Sequence, residues 1–154
     1  MSIESQFTHR AYGMREDGTL GPDEPPRNYV IGSRPSIEPF VPRALGDKPW
    51  GTELLIAETE HYIGKCLFMA AGKGGNLQYH ERKIETFFLA SGKALVEWEQ
   101  DGEKRTSVME QGEAYHVPAG AIHGVTALDD CVFFEASTPV FDDRVIIEDR
   151  GVHS

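Results

Sequence analysis

Two stretches decide the fold of this chain. They are Gly74-Gly-Asn-Leu-Gln78-Tyr-His80-Glu-Arg82-Lys-Ile-Glu85, running on to Gly92, and Gly112-Glu-Ala-Tyr-His116-Val-Pro118-Ala-Gly120-Ala-Ile-His123. Gln78 and His80 are two apart, so on a strand they share a face. Glu85 can return to the same interior if a turn intervenes, and Glu81-Arg82-Lys83 is polar enough to bend. Pro118-x-Gly120 makes a tight turn natural just before His123. One amide, two imidazoles and one carboxylate then meet inside a small β-barrel. Nitrogen and oxygen donors of this kind suit Zn²⁺, Mn²⁺, Fe²⁺, Co²⁺ or Ni²⁺ rather than a thiolate-loving metal. Gln78, His80, Glu85 and His123 are therefore the expected metal ligands, and an ion so held is a Lewis acid with positions left for water or substrate.

Outward from these motifs the pattern is short β-rich runs separated by turns. The runs are Glu53–Glu58, Tyr62–Ala70, Ile84–Ser91, Lys93–Gln100, Lys104–Met109, Glu113–Val117, Gly124–Ala127 and Cys131–Ser137. Asp101-Gly102 between two of them is a hairpin signal. In Lys93–Glu99, Ala94, Val96 and Trp98 share one face and Leu95, Glu97 and Glu99 the other. Glu97 and Glu99 could act in the site only if their face lines the barrel, which alternation alone leaves open. Pro139 to Arg150 reads as strand or short helix. About eight strands without intervening helices predict an all-β antiparallel sandwich or jelly-roll barrel. His116 on its strand faces opposite to Tyr115 and Val117; His9, His61 and His153 read as surface residues.

Seven of the nine prolines precede Trp50, and proline removes a backbone donor and disfavours helix before it. Residues 1–46 are thus expected to be an irregular arm, with short strands at Asn28–Gly32 and Ile37–Val41, and residues 47–154 the barrel domain. A chain of 154 residues is long enough for one domain with a core that needs no disulfides. Cys66 and Cys131 lie in apolar runs and are expected to be buried thiols. The formal net charge of −10 argues against nucleic acid and anionic membrane as partners. No basic start with an apolar h-region opens the sequence, and a cytoplasmic protein is expected.

The two motifs resemble those of the cupin superfamily. The first family form is Gly-x5-His-x-His-x3,4-Glu-x6-Gly, here matched by Gly74, His80, Glu85 and Gly92, with Arg82 at the second histidine position. The second is Gly-x5-Pro-x-Gly-x2-His-x3-Asn, matched by Gly112, Pro118, Gly120 and His123, with Ala127 at the Asn. Within cupins the chain looks most like the mannose-6-phosphate isomerase group, especially the cupin domain of the type II enzymes. Lys48-Pro-Trp-Gly51, Leu77-Gln-Tyr-His80 and Ser137-Thr-Pro139 carry that resemblance. It implies a single-domain cupin jelly-roll (double-stranded β-helix) barrel and a divalent metal on Gln78, His80, Glu85 and His123, with Gln78 compensating for Arg82.

The activity implied is a metal-dependent sugar or sugar-phosphate isomerase, interconverting aldose and ketose through a metal-stabilised enediolate. Arg82 and Lys73 are the expected catalytic cations, and Trp50, Lys73 and Arg82 the expected substrate-binding residues. Two other classes compete. One is a small-molecule or carbohydrate-binding cupin without turnover; the other is an Fe²⁺ dioxygenase on the same barrel. A homodimer is expected, because the edge strands of a small barrel need cover.

Overall fold

The alternating runs fold into strands that wrap apolar side chains inward on two facing sheets. The computed structural model describes residues 37–151. All eight expected runs are strands, and three more complete the set: β1 Arg43–Lys48, β2 Gly51–Glu58, β3 Ile63–Met69, β4 Leu77–His80, β5 Glu85–Ser91, β6 Lys93–Gln100, β7 Glu103–Glu110, β8 Ala114–Val117, β9 His123–Ala127, β10 Cys131–Ser137 and β11 Arg144–Glu148. One sheet has the order β1-β2-β3-β10-β5-β8 and the other β11-β4-β9-β6-β7. Every pairing is antiparallel. The fold is an all-β antiparallel jelly-roll barrel.

The expected strand at Ile37–Val41 is not formed; these residues have no regular structure and the first strand starts at Arg43. Pro39 and Pro42 interrupt the segment, and each lacks the N–H that a ladder needs. The expected strand at Asn28–Gly32 lies outside the described residues. From Pro39 the chain forms one compact unit, and β1 crosses position 46. The Pro139–Arg150 stretch resolves as the strand β11 rather than a helix.

Turn chemistry fixes the registers. Asp101 and Gly102 both have positive φ, 55° and 76°, as a tight hairpin between β6 and β7 requires. Gly92 sits at φ +94°, and a Cβ there would meet the Asp130 carbonyl oxygen at 2.4 Å, so only glycine fits between β5 and β6.

Ala94 and Val96 of β6 are buried in the core with Phe87, Leu89, Met109 and Phe133. Glu97 is therefore on the outer face. It is nonetheless buried, because Arg150 folds over it with Nη1 2.6 Å and Nη2 3.3 Å from its two carboxylate oxygens. Cys66 and Cys131 are buried free thiols. Between the sheets lies a cavity of about 460 Å³, lined by residues of both and bordered by the core side chains Met69, Phe87 and Phe133.

Candidate metal centre and its cavity

Strands from both sheets supply the site. Gln78 and His80 come from β4 and His123 from β9, neighbours in one sheet; Glu85 comes from β5 in the other. Gln78 lies directly opposite His123 in the β4–β9 ladder, so the two side chains project to the same face. The second motif's turn is tied to the first, since the Gly120 N–H donates to the His80 carbonyl at 2.7 Å.

The donor atoms of His80, Glu85 and His123 all lie within 4.8 Å of one another. His123 Nε2 is 3.1 Å from Glu85 Oε1, and His80 Nε2 is 3.9 Å from the same oxygen. The other ring nitrogens are committed elsewhere. His123 Nδ1 donates to the Ala121 carbonyl at 2.9 Å, and His80 Nδ1 is 2.9 Å from Asp143 Oδ1. Such partners fix tautomer and ring orientation in metal-binding histidines and leave Nε2 as the free donor. Asp143 is itself held, accepting from the backbone N–H groups of Arg82 at 2.7 Å and Lys83 at 2.8 Å.

A buried cation stands beside these donors. Lys83 Nζ is 2.5 Å from Glu85 Oε2 and 2.6 Å from Glu135 Oε1. Burial works to depress the Lys83 ammonium, but the carboxylates of Glu135 and Glu85 outweigh it and raise its pKa. Burial would raise Glu85; the hydrogen bond with His123 and the Lys83 charge instead hold it far below the usual carboxylate range. His80 is lowered, chiefly by burial. His123 is raised, because its bonds to Glu85 and to the Ala121 carbonyl outweigh its burial.

Two imidazoles with their outer nitrogens tied, facing one carboxylate, fit a divalent ion of the borderline class. Glu85 offers Oε1 toward the imidazoles while Lys83 holds Oε2. One further polar group is unused: among the described residues, the buried Ser137 hydroxyl has no partner, and Ser137 is opposite Glu85 in the β5–β10 ladder.

The expected residues divide accordingly. Gln78, His80, Glu85, His123 and Trp50 all line the cavity. Arg82 and Lys73 do not; both are exposed and stand outside it. The reason lies in the motif register. Counting back from Glu85 by four residues, then by His-x-His, puts His80 at the second histidine position and Gln78 at the first. Arg82 falls in the bend between β4 and β5, where it has no ligand position to fill. Lys83 is the cation that turns inward. His116 is exposed and pairs with Thr86 at 3.1 Å, and His61 is exposed. His9 and His153 lie outside the described residues.

A barrel with a histidine–carboxylate cluster in its cavity defines the class as a candidate metal-binding jelly roll. A family model described as a cupin domain matches residues 67–139, and with the structural likenesses it supports the cupin superfamily. The chain is similar to KdgF from Halomonas sp., with 26% identity over 66% of this chain and 89% of that one, at a TM-score of 0.56. It is also similar in fold to CapF, a capsular polysaccharide assembling protein from Staphylococcus aureus, with 18% identity, 72% of this chain and 33% of that one covered, and a TM-score of 0.63. A third likeness is Bacillus subtilis oxalate decarboxylase, a protein with Mn(II) centres, at 19% identity, 66% and 30% coverage and a TM-score of 0.56. The chain thus spans about a third of the length of the last two. No curated protein matches it in sequence. Among the described residues no helix is long and apolar enough to cross a membrane.

Proposed function

We propose that this chain is a metal-dependent cupin acting on a sugar or sugar phosphate, with aldose–ketose isomerisation as the reaction. The observation that carries the reading is the convergence of His80, Glu85 and His123 within 4.8 Å, each imidazole steered by a second partner. The resemblance to the mannose-6-phosphate isomerase group supports the sugar class, and CapF, a capsular polysaccharide assembling protein, shares the fold. A divalent ion held there supplies electrophilic stabilisation of a developing oxyanion.

The chain's own residues supply the rest. Gln78, beside His123 on the cavity face, is placed to complete the donor set or to bond a substrate hydroxyl. Trp50 and Phe87 wall the cavity with apolar surface. Glu135 lines it as a carboxylate shared with Lys83 but not committed to the imidazoles. It is the group best placed to move a proton between adjacent carbons.

The test is proton exchange. With Mn²⁺ or Zn²⁺ added, the protein is expected to exchange the C2 proton of a sugar in a panel of aldoses and their phosphates, seen by NMR in D₂O. Chelation should stop it. No exchange across the panel with stoichiometric metal bound would remove the isomerase reading.

A second reading, a cupin that binds its ligand without turnover, is favoured by Lys83. Its ammonium already neutralises Glu85 where a catalytic ion would do so. Ligand bound tightly and recovered unchanged, with no exchange, is its signature.

We also propose a cytoplasmic homodimer. The support is the outer face of the six-stranded sheet, where Phe68, Phe88 and Phe134 are 43%, 38% and 44% exposed on adjoining strands. Size-exclusion chromatography with light scattering is expected to give twice 17.1 kDa; a monomer at that mass across concentrations would refute it.

A further inference from the structure

The cavity holds two ionic clusters of opposite sign. In the first, Lys83 lies between Glu85 and Glu135, leaving one negative charge beside the two imidazoles. In the second, Glu53 lies between two ammonium groups, with Lys65 Nζ at 2.6 Å and Lys48 Nζ at 3.8 Å, leaving one positive charge. These are not surface pairs. The side chains of Lys48, Lys65 and Glu53 are 17%, 13% and 11% exposed, and all three line the cavity.

We infer that Lys48 and Lys65 form an anion subsite, which takes the phosphate or carboxylate of a ligand whose hydroxyl-bearing body reaches His80, Glu85 and His123. The inference rests on the proposed reading of this cavity as a sugar site, and it makes the ligand an acidic sugar rather than a neutral one.

Three observations support it. First, Lys48 is under-used. Among the described residues its ammonium pairs only with Glu53, at a distance beyond hydrogen bonding, so its donors remain available inside the cavity. Second, the spacing suits a single small ligand. Lys65 on β3 is opposite Glu135 on β10, and Glu135 is opposite Phe87 on β5, the strand of Glu85. Glu135 thus stands one strand from Lys65, and two strand spacings, about 10 Å, separate the backbones of β3 and β5, which carry Lys65 and Glu85; a six-carbon sugar with a terminal anionic group covers that span. Third, the surroundings suit a desolvated charge. Phe141 borders this cluster, with Lys65 Nζ 6.0 Å from its ring centroid, and Trp50 also lines the cavity. Low-dielectric walls strengthen a local positive field even within an acidic protein.

The experiment is calorimetric titration of the metal-stripped full-length protein with fructose 6-phosphate and glucuronate, and with fructose and glucose as their uncharged counterparts. An anionic sugar is expected to bind and the uncharged one not to. Binding of both acids marks a general anion subsite; binding of fructose 6-phosphate alone marks a phosphate subsite. Lys48→Met and Lys65→Met should each weaken anion binding by about 10- to 100-fold, the worth of a charged hydrogen bond, without changing the metal content of untreated protein. Lys48→Met keeps the close Lys65–Glu53 pair and so serves if Lys65→Met does not fold. Four results would overturn the inference: equal binding of charged and uncharged sugars, binding of neither acid at millimolar concentration, anion binding only after metal is restored, or parental affinity in Lys48→Met. Failure of the metal site itself is read separately, from metal content.

Discussion

The Glu85→Gln variant is expected to leave purification without metal, while the parent carries close to one divalent ion per chain. Glu85 is the single carboxylate among the three converging side chains, and its Oε1 faces both imidazoles. The amide keeps the shape but removes the charge, and it leaves the Lys83 ammonium facing the site with Glu135 alone to balance it. Both changes repel a cation. Loss of an outer partner typically costs about 10- to 100-fold in metal affinity, so loss of the charged ligand should cost more than 100-fold. Asp143→Asn provides the graded comparison. It weakens the partner that orients His80 and should fall within the 10- to 100-fold range. Gln78→Ala distinguishes an amide ligand from a substrate contact: only the first predicts a loss of affinity without substrate present. Elemental analysis and competition titration with a chromophoric chelator read all three. A folded Glu85→Gln protein retaining parental metal content would end the proposal that these side chains hold an ion.

How much of this was legible in sequence follows from the range of each interaction. Alternation is a local property, and it located β2, β3 and β5 to β10 from residues that are neighbours in the chain. The Gln78-x-His80 pair was legible for the same reason, since two residues on one strand must share a face. The ends were harder. β1 emerges from a proline-rich segment, and β11 reads Arg-Val-Ile-Ile-Glu, a run too short to separate strand from helix. The charge network was hidden because its members meet only in the fold. Lys83 and Glu135 are 52 positions apart, and His80 and Asp143 are 63. Nothing in Glu81-Arg82-Lys83 marks which of its two cations turns inward. That depends on Asp143 catching the backbone N–H groups of both Arg82 and Lys83, which fixes the bend and aims the second side chain at the cavity. The outer carboxylate Glu97 could be placed only once Ala94 and Val96 were seen in the core, and its burial depends on Arg150, 53 positions away.

Lys83→Met should separate stability from metal affinity and move them in opposite directions. In the metal-free protein the Lys83 ammonium is the counter-charge for two carboxylates whose side chains are 7% and 10% exposed. Removing one member of a buried ionic group leaves the others uncompensated, at a typical cost of about 3 to 5 kcal/mol. Chelator-treated Lys83→Met is therefore expected to unfold well below the parent temperature. Toward a divalent ion the sign reverses. The ammonium sits 2.5 Å from the ligand carboxylate and repels any cation bound to its other oxygen. At the effective dielectric of a protein interior, charges a few ångströms apart interact by several kcal/mol, so removing that repulsion should tighten metal binding by at least about tenfold. Because an ion that binds only the folded state stabilises it by mass action, saturating metal should raise the variant's melting temperature by more than the parent's. Melting curves with chelator and with Mn²⁺ or Zn²⁺, for both proteins, give the four values needed. If the variant is as stable as the parent without metal, Lys83 is not the internal counter-ion described here. If it is less stable but metal rescues it no better than the parent, the ammonium does not oppose an ion at Glu85, and the cluster holds its charge balance through Lys83 alone.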